Sequence, residues 1–294
     1  MPNEYPQFIV DESDSEVIAL LDQLLADLAA VAQEYDVLHR DSPSDDSVLG
    51  ADNTATYPFQ IGHFVGYCML QSVDTCRSIT RVVRDENGKV TLPIMSVFTL
   101  ARSVVECAAT ALWVLQPSDR RSRALRRLQF AHSELTYETE LVKNMAVSFD
   151  KSEEQAAIRT DRKSRDARNA DLRAIADANG IAYIEYENKF PGWLAIVEAA
   201  GSEFEDENLL PSIWRMCSGM SHPSLSRGLS LLKFNQMSVA GNTLRGTLSV
   251  NTTNVVGVLA ITHLSVRKAL TRWRAAKGLL NSEHPVPVPE AVSR

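Results

Sequence analysis

The sequence predicts a mainly all-α protein, a multi-helix bundle with one small β-hairpin inserted near residues 236–250. Three observations lead there. Apolar residues recur at three- and four-residue steps through most of the 294 residues. The composition, 45% hydrophobic and 23% charged, supplies an ordinary globular core. Alternation with the period of a strand is confined to a short stretch after residue 230.

Taken in order, Val17, Leu20, Leu21, Leu24, Leu28, Val31, Tyr35 and Leu38 set a first helix over 15–38, and Ser13 with Glu16 has the spacing of a capping box. Residues 41–56, DSPSDDSVLGADNTAT, are dominated by side chains that compete for backbone hydrogen bonds and read as a loop. Pro58 suits a first helical turn, and Phe64, Val65, Cys68, Val73, Cys76 and Ile79 carry that second helix to about residue 84. Asn87-Gly88 then makes a turn. A third helix, expected over 93–116 and ended by Pro117, is apolar nearly all round and belongs at the centre of the bundle. Arg102 and Glu106 are the charges inside it; four positions apart, they share one face, and burial without partners would be costly.

Ser118 is placed to cap a fourth helix reaching Met145, with Leu125, Leu128, His132, Leu135 and Val142 as its inner stripe. Residues 151–180 are highly charged and read as a solvated helix with Asn179-Gly180 as its C-terminal cap. IAYIEYENKFPGW reads as a loop or short extended piece, followed by a short helix over 193–200 stopped by Gly201 and an acidic connector over 202–207. Pro211 opens a further helix that His222-Pro223 closes, because a residue before proline is pushed out of the helical region. LSLLKF and MSVAGNTLRGTLSV form the hairpin, turning at Gly241-Asn242, and a last helix runs over 252–277 to Gly278. Residues 1–280 are expected to form one domain. The segment 281–294, with prolines at alternate positions, is expected to be extended or disordered.

The charge balance, 30 Lys and Arg against 37 Asp and Glu for a net −7, disfavours a dedicated nucleic-acid coat. Positive charge gathers instead over 118–173, where 13 Lys and Arg face 10 Asp and Glu. That region is either a solvated helix pair laced with salt bridges or a rim that meets phosphate. Four cysteines lie apart among apolar residues without a CxxC pair, which fits reduced core thiols in a cytoplasmic protein. The N-terminal stretch has no basic leader and no long apolar run, so neither secretion nor a membrane partner is expected.

Cofactor motifs are missing from the sequence: there is no P-loop, no dinucleotide GxGxxG, no HExxH and no GxSxG, so no cofactor is expected. No metal is expected either. A di-iron bundle needs Glu-x-x-His pairs, which do not occur, and His63, His132 and His263 stand singly, although Glu106 and His132 could converge in space. The strongest chemical candidate is the pair Arg215 and His222. Seven positions are almost two turns, which puts them on one helical face about 10 Å apart along the axis, with Ser218 between them. Arginine offers a fixed cationic fork for phosphate oxygens, and histidine exchanges a proton near neutral pH.

The stretch RMCSGMSH, Arg215 to His222, resembles the HEPN superfamily (higher eukaryotes and prokaryotes nucleotide-binding), whose ribonuclease members carry an arginine, four to six residues and then a histidine. Together with LARSVVECAATALWVL, which contributes Arg102 and Glu106, it is similar to a group of bacterial helical proteins with an Arg-x-x-x-Glu helix and a later Ser-x-x-x-His-Pro type of end. The resemblance implies metal-independent endoribonuclease activity by attack of the ribose 2′-hydroxyl, with a cyclic phosphate product. His222 would move the proton, Arg215 would stabilise the phosphate, and Arg102, Glu106 and Ser218 would support them. It further implies RNA as substrate, a homodimer, and a role as a toxin or in phage defence with an antitoxin or regulatory protein as partner.

Two other readings stay open. The bundle can be a noncatalytic interaction or regulatory module, in which Arg215 or Arg102 pairs with Glu106 in the interior and His222 caps a helix end. It can also bind or transform a small apolar molecule in a pocket around Arg102, Glu106 and Trp113. The ribonuclease expects Arg215 and His222 in an open groove, the module expects both buried and paired, and the small-molecule reading expects an enclosed pocket.

Overall fold

The computed structural model describes residues 15–279 apart from 86, 149 and 242. In chain order these residues form α1 (Ser15–Leu38), α2 (Val48–Ala55), α3 (Ile61–Val83), α4 (Ser96–Leu115), α5 (Arg120–Ala146), α6 (Lys151–Ala178), α7 (Tyr183–Tyr186), α8 (Trp193–Gly201), α9 (Leu209–Met220), α10 (Leu225–Leu231), β1 (Leu232–Ala240), β2 (Thr243–Val250) and α11 (Thr252–Ala276). The fold is thus an all-α bundle with one small antiparallel hairpin. Ser13 of the expected capping box and the 281–294 tail lie outside the described residues.

α4 is the central helix, packed by α3, α11, α8 and α9, while α1 closes over α3 and α11. Its apolar side chains from Val97 to Leu115 are buried almost all round, each valine, leucine and phenylalanine among them contributing about 1.5–3 kcal/mol as it leaves water. Length and composition alone would let α4 cross a membrane, but 67% of its apolar window is covered by these neighbouring helices. α5, α6 and α7 pack around a second apolar cluster built on Leu128, Leu135, Leu172, Ile175 and Tyr186. α6 buries only Leu172, Ile175 and Ala176, so most of its length is the solvated charged helix that its sequence suggests.

Several boundaries differ from expectation, each for a local reason. The polar stretch 41–56 contains α2. Its serines and aspartates supply caps rather than a loop: Ser47 Oγ accepts from the Gly50 amide at 3.0 Å, and Asp52 is fully buried against Arg123. α3 begins at Ile61, not Pro58, because α2 caps it; Thr56 Oγ1 accepts from the Ile61 amide and Asn53 Oδ1 from the Gly62 amide. Pro58 sits in the connecting turn behind a cis peptide bond. Asp119, not Ser118, caps α5, its carboxylate accepting from the Ser122 amide at 2.8 Å. The buried stripe of α5 is Ala124, Leu128, Ala131 and Leu135 with Arg123 and Arg127, while Leu125, His132 and Val142 are half-exposed. The two arginines turn inward because partners await them, which hydrophobic spacing alone does not reveal.

Further along, the segment expected to be irregular contains the one-turn α7. α9 starts two residues before Pro211, which is tolerated because first-turn amides have no helical acceptor anyway. It ends at Met220 with Ser221 as cap, so His222 lies just beyond the helix. Residues 225–231 form α10, and the first strand therefore starts at Leu232, not at Leu229. β1 and β2 pair from Leu232↔Val250 to Ala240↔Thr243, with an irregularity between Asn235 and Ser238. Gly180 and Gly278 take the positive φ angles, 64° and 79°, that stop α6 and α11 as expected. Beside Gly278, the buried Lys277 ammonium donates at 2.7 Å to the carbonyls of Leu38 and Asp41, tying the end of α11 to the end of α1.

Candidate functional site

Three helices bring matched faces together where α5 leaves the main core. α3 contributes Phe64, Tyr67, Cys68 and Gln71; α4 contributes Ser103, Glu106, Cys107 and Thr110; α5 contributes Phe130, Ser133, Glu134 and Tyr137. Each set has the spacing i, i+3, i+4, i+7, which is one face of a helix over two turns. With Glu138, Phe190 and Trp193 they line a chamber of about 460 Å³. The chamber occupies the seam between the two apolar clusters, where α3 and α4 belong to one and α5 to the other.

Its walls are aromatic. Phe130 lies 4.6 Å from Phe64, 5.4 Å from Phe190 and 5.9 Å from Trp193 between ring centres, mostly edge to face, and Phe190 meets Trp193 at 5.5 Å. Such pairs hold each other's orientation, so the wall is preformed. The polar groups are anchored from behind. Glu106 Oε1 accepts from Arg102 Nε at 3.0 Å and from Trp214 Nε1 at 2.8 Å, while the Arg102 guanidinium lies over the Trp214 ring. Glu134 Oε2 accepts from Arg127 at 3.2 Å, and that guanidinium, in a residue only 8% exposed, stacks on Phe64 at 4.5 Å. Glu138, toward the surface, meets Arg168 at 2.5 Å.

Burial raises the Glu134 carboxyl above the ordinary carboxylate range in spite of Arg127, and neighbouring Glu138 adds to the rise. Burial also pushes the Cys107 thiol up to about 12, with the Glu106 charge acting in the same direction, and holds Cys68 well above its ordinary value. Both thiols therefore stay protonated at neutral pH and are poor nucleophiles. Among the described residues no histidine, lysine or arginine lines the chamber. Its groups suit reversible binding by ring contact, hydrogen bond and carboxylate rather than nucleophilic attack.

Of Arg102, Glu106 and Trp113, around which the sequence suggests an enclosed pocket, Glu106 alone lines this chamber. Arg102 stands behind Glu106. Trp113 is covered by the guanidinium of Arg126, which lies 5.2 Å over its ring and donates to its carbonyl. Glu106 and His132 do not meet: His132 packs against Tyr186 and lines a separate small recess between α5 and α6. Among the described residues no group of three His, Cys, Asp or Glu side chains is placed to hold a metal ion. The chamber's signal was present in the sequence as the polar stripe Ser103, Glu106, Cys107, Thr110 on an otherwise apolar helix.

Arg215 and His222 lie elsewhere. Arg215 projects from α9 with its side chain 55% exposed and donates to Glu198 of α8 at 2.8 Å. Ser218 is half-buried on the same helix, and His222 is exposed just past its end. His222 borders an apolar groove of about 310 Å³ formed with Met95, Met220, Pro223, Leu225, Leu229 and Leu232, and Arg215 is not among the groove's residues. The arginine on that side is Arg227, whose chain crosses Gly219 so closely that a Cβ there would meet its Cδ at 2.6 Å. Sequence spacing misses Arg227 because it gives 224–228 no element and assigns 229–231, the end of the α10 that carries it, to the hairpin.

Comparison of the chain with protein-family models, with curated proteins and with solved structures finds no match.

Proposed function

We propose that the protein binds a small, largely apolar organic molecule in the chamber between α3, α4, α5 and the Phe190–Trp193 segment. The observation that carries this reading is the convergence of three i, i+3, i+4, i+7 faces, aromatic and sparsely polar, on a space of about 460 Å³. Protein interiors are otherwise packed like organic crystals, and an opening of this size with oriented rings and anchored polar groups falls within the range of ligand sites. Binding of the neutral dye Nile red, followed by its fluorescence, tests it. Wild type is expected to bind the dye, and Cys107→Phe and Ser133→Phe, each folded by circular dichroism, are expected to lose at least tenfold in affinity. Equal binding by wild type and both folded variants would place the dye elsewhere and remove the reading.

A second reading keeps the HEPN-like endoribonuclease, with His222 and Arg215 acting on RNA in a homodimer. What favours it is that both side chains reach solvent, as a phosphate contact requires. Its weakness is electrostatic: Arg215 is engaged by Glu198, and the nearby connector carries Glu203, Glu205, Asp206 and Glu207. Incubation with total RNA in EDTA decides. Cleavage to 2′,3′-cyclic phosphate ends by wild type, lost in His222→Ala and Arg215→Ala, supports it; inert and folded wild type rejects it.

A further inference from the structure

The chamber's charge pattern narrows what it can hold. Among the described residues three carboxylates border it, Glu106, Glu134 and Glu138, and no basic side chain does. An anionic ligand would lose its water to meet like charge, at a cost the aromatic walls cannot offset. Each carboxylate gives one oxygen to its partners, and the three differ in how firmly they are held. Glu106 Oε1 already accepts two hydrogen bonds and is fixed as a brace between α4 and α9. Glu134 gives Oε2 to Arg127, and its Oε1 accepts no hydrogen bond among the described residues. Glu138 stands four residues on, one turn further out on α5, and gives Oε2 to Arg168.

Two glutamates at i and i+4 repel each other, and here the repulsion is moderated only from behind, by Arg127 and Arg168 outside the lining. The lining in front of them includes the aromatic side chains of Phe64, Phe130, Tyr137 and Trp193, a ring type whose face attracts a cation, as the Arg127 guanidinium over Phe64 already shows. Carboxylate oxygens beside aromatic rings, with their arginine partners Arg102, Arg127 and Arg168 outside the lining, are the chemistry that recognises an ammonium group on an apolar body.

We infer that the chamber's ligand is an organic cation, an amine carrying an aromatic or aliphatic body, whose ammonium group seats between Glu134 and Glu138 while its body lies among Phe64, Phe130, Phe190 and Trp193. This inference rests on the reading of the chamber as a ligand site. A shape-matched series separates the two: tryptamine, tryptophol and indole-3-propionate carry positive, zero and negative charge on one ring system. Calorimetric titration of wild type at neutral pH is expected to show tryptamine bound at least tenfold more tightly than tryptophol, and indole-3-propionate not bound.

Glu134→Gln is expected to reduce the tryptamine preference at least threefold while leaving tryptophol unchanged. Glu138→Gln, at the exposed end of the pair, does the same without stranding buried Arg127, so the assignment survives a folding failure of the first variant. Tryptophol binding as tightly as tryptamine overturns the inference while leaving the chamber a ligand site. So does a preference that neither folded variant alters. If none of the three binds but Nile red does, the cation is wrong and the site stands. If Nile red fails as well, both fall together.

Discussion

Asp52 and Arg123 show how much a single residue can decide in this bundle. Asp52 is fully buried, and its two oxygens accept from Arg123 Nε at 2.6 Å and from a terminal guanidinium nitrogen at 2.9 Å; the other terminal nitrogen donates to the carbonyls of Pro117 and Ser118. The pair locks the short α2 to the start of α5. Removing one partner leaves the other charge buried and uncompensated, the costly way to break such a pair. Asp52→Ala is expected to lower stability by about 3–5 kcal/mol, measured as the urea midpoint, whereas exchange of both residues for apolar ones should recover much of that loss. An Asp52→Ala protein within about 1 kcal/mol of wild type would show that Arg123 finds water or another acceptor. Nothing in the local sequence marks Asp52 as buried, because its partner lies 71 positions away.

At the scale of elements, the sequence was legible wherever one periodic stripe and its own caps decide the outcome. α1 and α11 run as their apolar spacing indicates, Gly180 and Gly278 stop α6 and α11, and the hairpin turns at Gly241. It misled where a side chain satisfied a partner from another element. Ser47, Asp52 and Asn53 look like loop formers until their acceptors and donors in α2, α3 and α5 are seen. Arg127 looks like a surface residue until Phe59, Phe64 and Glu134 surround it. The candidate site follows the same rule. Each helix carried its stripe of four residues in plain view, yet which stripes face one another depends on the crossing of α3, α4 and α5, a tertiary fact. The Arg102 and Glu106 pair was readable as an i, i+4 contact; that Trp214 would complete it from α9 was not.

Over the whole molecule, buried titratable groups set opposing pH limits on the fold. Burial lowers His132 and His263 below their ordinary value, so the unfolded chain binds more protons than the folded one as pH falls through about 6.5, and stability drops on the acid side. Lys277 is pulled down to about 8 by the same cause; from there to its ordinary value of 10.5 the unfolded chain holds the extra proton, and this residue's contribution rises with pH. The thiols act in the other direction. Cys76, Cys107 and Cys217 are each pushed up to about 12, and burial holds Cys68 well above its ordinary value, so above pH 9 the unfolded thiols ionise while the folded ones do not. Each buried thiol then removes about 1 kcal/mol per pH unit. Four thiols outweigh one lysine, and stability is expected to peak between about pH 7 and 9 and to fall steeply beyond. Urea midpoints measured from pH 5 to 11 check this. Cys76→Ala should be less stable than wild type at neutral pH, because it opens a cavity, and should lose less on going to pH 11. Lys277→Met should remove the compensating rise, leaving a steeper decline from pH 8. Parallel alkaline limbs in wild type and Cys76→Ala would mean that the thiols are reached by water, and that the packing of α3 against α4 is looser than the burial of Cys76 implies.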